Sequence, residues 1–440
     1  MKRYGTLREM MESRSARGTA FEYTEDGVRR TVSYSGFLEA IDRYPLPQAR
    51  TVGILFGNDM GSITAFFALA GKRRLVLMNP EDDERILRKQ IAKTGVSFLA
   101  GPEDLCRDLK DALVPDAPAP DSDILLFTSG TTEEARAVVL TEQNLCSAAY
   151  NGSCMLALKD TDRHLSVLPF SHVFGLVCAL LWPLNFGATV CLGNGIRSIF
   201  TDFALYRPTV ACLVPQMAAF LSANRLFNAE LKLVLIGAGV CDDATLSRIA
   251  DMGIRVSYGY GLTETSSGIA LSVGKDPRAM SICPDYEVKI TPDGEIAVKS
   301  ANTIMKGYLN DAKATAEVLH DGFLFTGDLG RIENGLLYIT GRKKEVLVFS
   351  DGSKVFIPEY ENRLAAALKG ETDFAIIQGR RGEIVLVIHE KGGGTADKVD
   401  AFNASLPRSH RIADIVYTDK SLPRTRTGKV RRYELKEYLR

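Results

Sequence analysis

No two of the eight cysteines stand at Cys-x-x-Cys spacing, and none joins a histidine in a metal-ligand cluster. That speaks against a structural zinc or a redox dithiol. Several cysteines lie in apolar runs, such as Val177-Cys178-Ala179 and Val190-Cys191-Leu192. They read as buried free thiols, which suits a reducing cytoplasm. Net charge is absent as well, since 54 Lys and Arg balance 54 Asp and Glu. No overall field therefore draws nucleic acid or an acidic membrane. The opening MKRYGTLREMMESRSARG has no apolar centre and is not expected to be a secretion signal. A long membrane-spanning run is missing too. The stretch 173–193 comes nearest, but it holds Pro183, Asn185 and glycines. No Gly-Lys-Ser/Thr ends a glycine-rich loop, so the Walker phosphate signature is excluded.

What the chain does have is an ordinary globular balance, 45% apolar and 25% charged, over 440 residues, enough for more than one domain. Short apolar runs alternate with amphipathic segments. Strands are expected at Val52–Phe56, Leu75–Met78, Ile124–Phe127, Leu231–Ile236 and Ile254–Ser257. Helices are expected at Ile63–Ala70, Asp82–Lys93, Leu145–Leu156 and Asp242–Ala250. This alternation predicts an α/β fold with layered, mostly parallel sheets flanked by helices. The Pro-rich segment 115–121 reads as a loop inside that large unit, because strand and helix signals continue on both sides. Past Gly341 the order changes. Strands at Asn334–Thr340, Val346–Phe349, Phe374–Ile377 and Ile384–His389 combine with helices around Ile357–Leu368, Lys398–Ser405 and Arg432–Tyr438. A large N-terminal domain, 1–343, and a small α+β C-terminal domain, 344–440, are expected.

Five segments carry chemistry. Thr128-Ser129-Gly130-Thr131-Thr132 follows a strand, and its hydroxyls and backbone N–H groups can wrap phosphate oxygens. A plain polar turn would look the same. Tyr258-Gly259-Tyr260-Gly261-Leu262-Thr263-Glu264-Thr265 gathers a ring that can stack a base, a hydroxyl for phosphate and a carboxylate for Mg²⁺. Thr326-Gly327-Asp328, with Arg342 fourteen residues on, can hold the hydroxyls of a ribose. Gly341–Glu345 and Ser350–Lys354 form the fourth segment, and Leu422-Pro423-Arg424-Thr425-Arg426-Thr427-Gly428-Lys429 the fifth. A lysine after Thr-Gly in a loop suits neutralisation of a phosphoryl oxygen.

In order and spacing these segments, with PFSHVFGL at 169–176 and LIGAGV at 235–240, resemble the adenylate-forming superfamily, above all its fatty-acyl and aryl acyl-CoA synthetases. The resemblance runs over residues 20–440. It implies ATP-dependent activation of a carboxylic acid to an acyl-adenylate, with release of pyrophosphate and transfer of the acyl group to a thiol. The thiol is CoA or the pantetheine arm of a separate acyl carrier protein. By the same resemblance, Thr128, Ser129, Gly130, Thr131 and Thr132 hold the ATP phosphates. Tyr260 and Gly261 meet the adenine, and Gly237, Ala238 and Gly239 line its edge. Asp328 and Arg342 hold the ribose, Thr263 touches the α-phosphate, and Glu264 binds Mg²⁺. Lys429 bridges acid and α-phosphate during adenylation. Lys344 is the hinge about which a mobile small domain turns, and His172 borders the acyl pocket and thiol tunnel.

The chain departs from the family in two places. After Thr132 the family has Gly-x-Pro-Lys-Gly, whereas this chain reads Glu133-Glu134-Ala135-Arg136-Ala137. Arg136 keeps a cation at the lysine position, but Glu133 sets a negative charge beside polyphosphate. Such a pair at 4 Å costs about 1 kcal/mol in water and about 4 at an effective dielectric near 20. A nucleotide-binding pseudoenzyme is the rival reading that this loop motivates. The chain is also short for the family between the 169–176 and 258–265 segments, where the acyl pocket is built. Ser171-His172 follows Phe170 where amino-acid-activating members carry an aspartate. An ammonium would lack a partner there, so a fatty or aryl acid is expected instead.

Overall fold

The computed structural model describes residues 2–102, 107–108, 122–128, 135–195, 198–349, 354–368, 373–390, 394–424, 430–432 and 434–439. The Pro-rich segment 115–121, Ser129–Glu134, 350–353 and Lys429 lie outside the described residues.

Two large sheets, of seven and fourteen strands, dominate the fold. In the seven-stranded sheet Thr51–Leu55, Arg74–Met78 and Ile124–Phe127 run parallel, and Ala137–Leu140 returns antiparallel beside the last of them. Every residue of Thr51–Leu55 and Ile124–Phe127 is buried, as expected of strands covered on both faces. The helix Met60–Leu69 follows the first, capped by Asp59, whose Oδ1 accepts from Ser62 N at 2.8 Å.

The fourteen-stranded sheet has two halves. Arg163–Ser166, Thr189–Leu192, Val210–Leu213, Leu233–Ile236 and the start of Arg255–Leu262 are parallel. From there on the pairs are antiparallel: Arg255–Leu262 with Ser267–Leu271, then Met280–Ile282, Leu336–Arg342, Phe323–Glu333 and Glu295–Lys299. The strand Arg255–Leu262 serves both halves. Ile236 pairs with Tyr258 on the parallel side, and Leu271 with Gly259 on the antiparallel side. The sequence alone ends this strand at Ser257, because Tyr-Gly-Tyr-Gly reads as a turn. Gly259 is instead a packing position, where a Cβ would stand 2.9 Å from Leu271 Cδ2. A crevice at such a change of strand direction is where open α/β sheets bind ligands.

The apolar stretch after Pro169 is a helix of unusual pitch. Gly175–Leu181 is a π-helix, continued by the α-turn Trp182–Phe186. It starts on Gly175 for a steric reason, since a Cβ there would lie 2.2 Å from the carbonyl oxygen of Pro169. π-Helical segments are rare and concentrate near functional sites.

Past residue 346 a separate apolar core begins. Leu364, Ile376, Ile384, Leu386 and Ile388 are fully buried within it. A sheet of Asp373–Gln378, Ile384–His389 and Ile412–Thr418 packs with helices Ile357–Ala367 and Ala396–Ala404. The C-terminal turn, expected at 432–438, is a short 3₁₀ helix, Glu434–Tyr438. Among the described residues no helix is long and apolar enough to cross a membrane.

Candidate active site

The site grows from the end of the strand Arg255–Leu262. Its chain turns at the 3₁₀ helix Thr263–Thr265 and doubles back into Ser267–Leu271. The turn is so tight that a Cβ on Gly261 would lie 1.8 Å from the carbonyl oxygen of Ser267, so only glycine fits. Ser266 and Ser267 adopt φ of 54° and 106°, a left-handed geometry that strains residues with a side chain. Side chains lock it in place. Thr265 Oγ1 accepts from Leu262 N at 2.9 Å and donates to Ser267 O at 2.9 Å, while Ser266 Oγ donates to Thr303 O at 2.8 Å. Thr263 and Glu264 are thereby held half-buried just past the end of the strand.

Tyr260, Asp328 and Arg342 come together from three strands. Asp328 and Arg342 are cross-strand register partners in the hairpin Phe323–Glu333/Leu336–Arg342. The Arg342 Nε donates to Asp328 Oδ1 at 2.7 Å, and the Tyr260 hydroxyl donates to Asp328 Oδ2 at 2.9 Å. Asp328 is 6% exposed, so its charge is compensated from both sides. Burial pushes the Tyr260 phenol well above its ordinary value, and the Asp328 carboxylate adds to the effect. Burial lowers the Arg342 guanidinium, but the charge and hydrogen bond of Asp328, with Glu345 and Tyr260 adding to them, together outweigh it and the net shift is upward. Just past Arg342, Lys343 Nζ is ion-paired to Asp293 at 2.7 Å and Glu295 at 2.8 Å.

The other end of the site is joined from separate pieces. Thr128 and Arg136 face each other across the hairpin whose loop, Ser129–Glu134, lies outside the described residues. Thr128 N donates to Arg136 O at 2.9 Å, and Arg136 N to Thr128 Oγ1 at 3.2 Å. The Arg136 guanidinium lies 5.0 Å from the centre of the Tyr308 ring, a cation–π distance. The Tyr308 hydroxyl donates to Glu264 Oε1 at 2.8 Å. Burial raises the Tyr308 phenol, and the Glu264 carboxylate raises it further. The backbone is tied here too, through Met305 N to Glu264 O at 2.9 Å and the pairing of Tyr308 with Val138. Tyr308 was not found by sequence reasoning. Its only signal was an isolated Gly307-Tyr308, with no periodicity pointing toward Glu264.

Gly237-Ala238-Gly239 follows the neighbouring strand Leu233–Ile236. Phe174 packs against Gly237, where a Cβ would stand 3.0 Å from the ring. Ala238 is exposed at φ 63°. The Tyr258 hydroxyl donates to Gly239 O and holds the loop against the strand. His172 is half-buried, on the turn whose carbonyl accepts from Leu176 N at 2.8 Å as the π-helix opens.

Tyr308 donates to one oxygen of Glu264, and the half-buried carboxylate keeps its second oxygen for a ligand. Among the described residues no three His, Cys, Asp or Glu side chains form a metal cluster. One carboxylate shared with substrate phosphates is the donor set that suits Mg²⁺.

Known proteins were then compared. The AMP-binding enzyme family matches residues 46–309. The 2-succinylbenzoate–CoA ligase of Bacillus cytotoxicus is 29% identical over 343 residues, covering 72% of this chain and 70% of that protein. The indoleacetate–CoA ligase of Aromatoleum aromaticum is 30% identical over 347 residues, covering 71% of this chain and 66% of that protein. In structure, o-succinylbenzoate CoA synthetase of Bacillus subtilis in complex with its acyl-adenylate intermediate superposes with a TM-score of 0.82 at 22% identity, over 99% of each chain. The match over residues 46–309 covers more than half the sequence, and the chain belongs to the AMP-binding enzyme family.

Proposed function

We propose that this chain is an acid–thiol ligase. It joins a carboxylic acid to AMP with release of pyrophosphate, then passes the acyl group to CoA. The observation that carries this reading is the meeting of Tyr260, Asp328 and Arg342 at the crevice where the sheet changes direction. Their chemistry suits a ring and two adjacent hydroxyls, that is, a nucleoside. Thr263 and Glu264 lie next along the chain, where its phosphates would extend. The acid is an aryl or fatty acid, and the aryl choice is favoured because the relatives above are ligases of aryl acids.

In the first half-reaction a carboxylate oxygen attacks the α-phosphorus, and the bond to the β-phosphate oxygen breaks with its electron pair. Two anions meet in that step. Thr263 donates to the α-phosphate, and the Lys429 ammonium neutralises the oxygens of acid and phosphate together. Ser129, Gly130, Thr131 and Thr132 cradle the departing phosphates. Mg²⁺, when bound at Glu264, supplies charge compensation to the polyphosphate. In the second half-reaction the thiol attacks the acyl carbon and AMP leaves. His172 borders the approach of the thiol.

Lys429 has no part in that second step, so the small domain turns to remove it. We place the division at 343/344. The two ion pairs of Lys343 anchor the chain to the large body up to that residue, and the next residue is the first able to swing. The described cysteines are all free, in keeping with a cytoplasmic enzyme. The deciding experiment is a pyrophosphate-release screen over a panel of aryl and fatty acids, with and without CoA. Acid-dependent release without CoA in a single turnover is expected. No acyl-AMP from any acid, with folded protein, leaves a nucleotide-binding protein without catalysis. Release that goes on to product only with a pantetheine carrier replaces CoA as acceptor.

A further inference from the structure

The helix Glu142–Met155 buries polar side chains of two kinds. Some are satisfied. Asn144 Nδ2 donates to Asn302 O at 2.7 Å, and Ser153 Oγ donates to Ala149 O at 2.8 Å while accepting from Asn185 Nδ2 at 2.9 Å. Others are not. Ser147 and Asn151 are 0% and 1% exposed. Yet the Ser147 Oγ and both the Oδ1 and Nδ2 of Asn151 have no hydrogen-bond partner among the described residues. An amide buried with donor and acceptor both unmet by protein atoms gives up its hydration unless a ligand or a buried water meets it. Within one helix, the contrast marks this pair as groups left for a ligand or a water to meet.

The direction of the pair follows from helix phase. Asn144, Ser147 and Asn151 stand three and four residues apart and share a side of the helix. Asn144 fixes where that side faces, toward Asn302 and the neighbouring Thr303, whose carbonyl accepts from Ser266. There the helix packs on the strand Ser267–Leu271 and on the π-helix. The last two are themselves in contact, with Cys178 Sγ 3.4 Å from Ser267 Oγ. Ser267 lies four residues past Thr263, and the π-helix opens three residues past His172. Thr263, assigned to the α-phosphate, and His172, assigned to the acyl pocket, therefore lead directly into two of the elements against which the helix of Asn151 packs.

We propose that Asn151, with Ser147, sets acid specificity by pairing with a second polar group on the acid, remote from the carboxyl that reacts. The matching chemistry is a neutral keto or hydroxyl oxygen on an aryl or alicyclic acid. The Asn151 Nδ2 and the Ser147 hydroxyl donate to it, and the Asn151 Oδ1 accepts from a hydroxyl proton. A bare hydrocarbon acid would leave all three atoms unmet, and a site built for a hydrogen bond discriminates strongly against an analogue lacking it. This inference rests on the acid-activation reading above.

The test uses phenylalkanoic acids in matched pairs, one bare and one carrying a ring hydroxyl or a keto group. Each is measured by acid-induced thermal shift and by pyrophosphate release, on the parent, Asn151→Leu and Ser147→Ala. The parent should favour the polar member of a pair at least tenfold, in affinity and KM rather than in kcat. Asn151→Leu should abolish or invert that preference, and without acid it should melt no lower than the parent, because it removes two unmet atoms. If Asn151→Leu does not fold, a reduced preference in Ser147→Ala decides the same question. Equal treatment of both members by the parent, or a preference untouched by the substitutions, overturns the inference and leaves acid activation standing. Polar-selective binding without pyrophosphate release sustains the inference and removes the activation reading. No binding of any acid overturns both.

Discussion

The two ends of the proposed nucleotide site are built on different plans. At the base and ribose end, Asp328 and Arg342 are register partners in one hairpin, and Tyr260 reaches them from the same sheet. Sheet pairing sets this geometry before any ligand arrives. At the proposed phosphate end, Arg136, Tyr308 and Glu264 come from three segments, joined by the pairing of Tyr308 with Val138, the backbone bond from Met305 N to Glu264 O, the Tyr308–Glu264 hydrogen bond and the Arg136–Tyr308 ring contact. The difference teaches where preorganisation is placed. Asp328 and Arg342 at the first end are fixed by sheet register, whereas at the second the Arg136 guanidinium and the Glu264 carboxylate are linked by way of the Tyr308 side chain.

The largest expected effect lies on the phosphate end. Lys429→Ala should slow acyl-AMP formation by about 10²–10³, or about 3–4 kcal/mol, the usual loss for one charge-stabilising donor. Given ready-made acyl-AMP, the same variant should form thioester at near the parent rate. Lys344→Pro should reverse the pattern, because proline fixes φ near −65° and stiffens the proposed pivot. Quench-flow kinetics of both steps in both variants is the measurement, and equal damage to both steps by Lys429→Ala would remove domain rotation from the mechanism.

Next comes the ribose end. Asp328→Asn leaves Arg342 without its counter-charge. ATP affinity, read by calorimetry, should fall about 100-fold, near 2.7 kcal/mol. Stability should fall by about 2 kcal/mol, less than the roughly 3–5 for a fully buried pair because the Arg342 side chain is 35% exposed. A loss of affinity under threefold would mean that the phosphates carry the binding, and the comparison above would invert.

A smaller effect probes the linkage at Glu264. Tyr308→Phe deletes the hydroxyl that donates to its carboxylate. The Mg²⁺ concentration for half-maximal adenylation should rise about tenfold, near 1.4 kcal/mol, while kcat at saturating Mg²⁺ and metal-free ATP binding stay close to the parent. A fall in kcat with no change in the Mg²⁺ dependence would detach Tyr308 from the metal. The smallest effect belongs to the atypical loop. Glu133→Gly with Ala135→Pro should leave ATP affinity unchanged or a few-fold tighter, since it removes a like charge beside polyphosphate. A tenfold weakening in the same titration would give Glu133 a positive role.

Much of this was legible in the sequence, unevenly and for physical reasons. Ile124–Phe127 and Ile384–His389 are strands over the predicted residues, because each is a short apolar run of strand length closed by turn formers. Asp328 and Arg342 were paired from motif order, and the hairpin register accounts for their spacing. The far half of Arg255–Leu262 was missed because Gly259 serves close packing inside the strand and Gly261 serves the turn only at its very end. The π-helix was missed because an all-apolar run carries no phase to betray its pitch. Tyr308 was missed because its partner stands 44 residues away in the chain, a relation no local pattern encodes.

The turn at Ser266 and Ser267 places a conflict between durability and use at one point of the chain. Two non-glycine residues are held at φ of 54° and 106°, at a cost of order 1–3 kcal/mol each. Glycine at Ser267 would relieve one of these, yet it would also loosen the loop that aims Thr263 and Glu264. Selection for thermal endurance alone would push this position toward glycine, whereas selection for turnover would hold it where it is. A heat-hardened descendant of this chain is therefore expected to gain its stability elsewhere and to keep this bend.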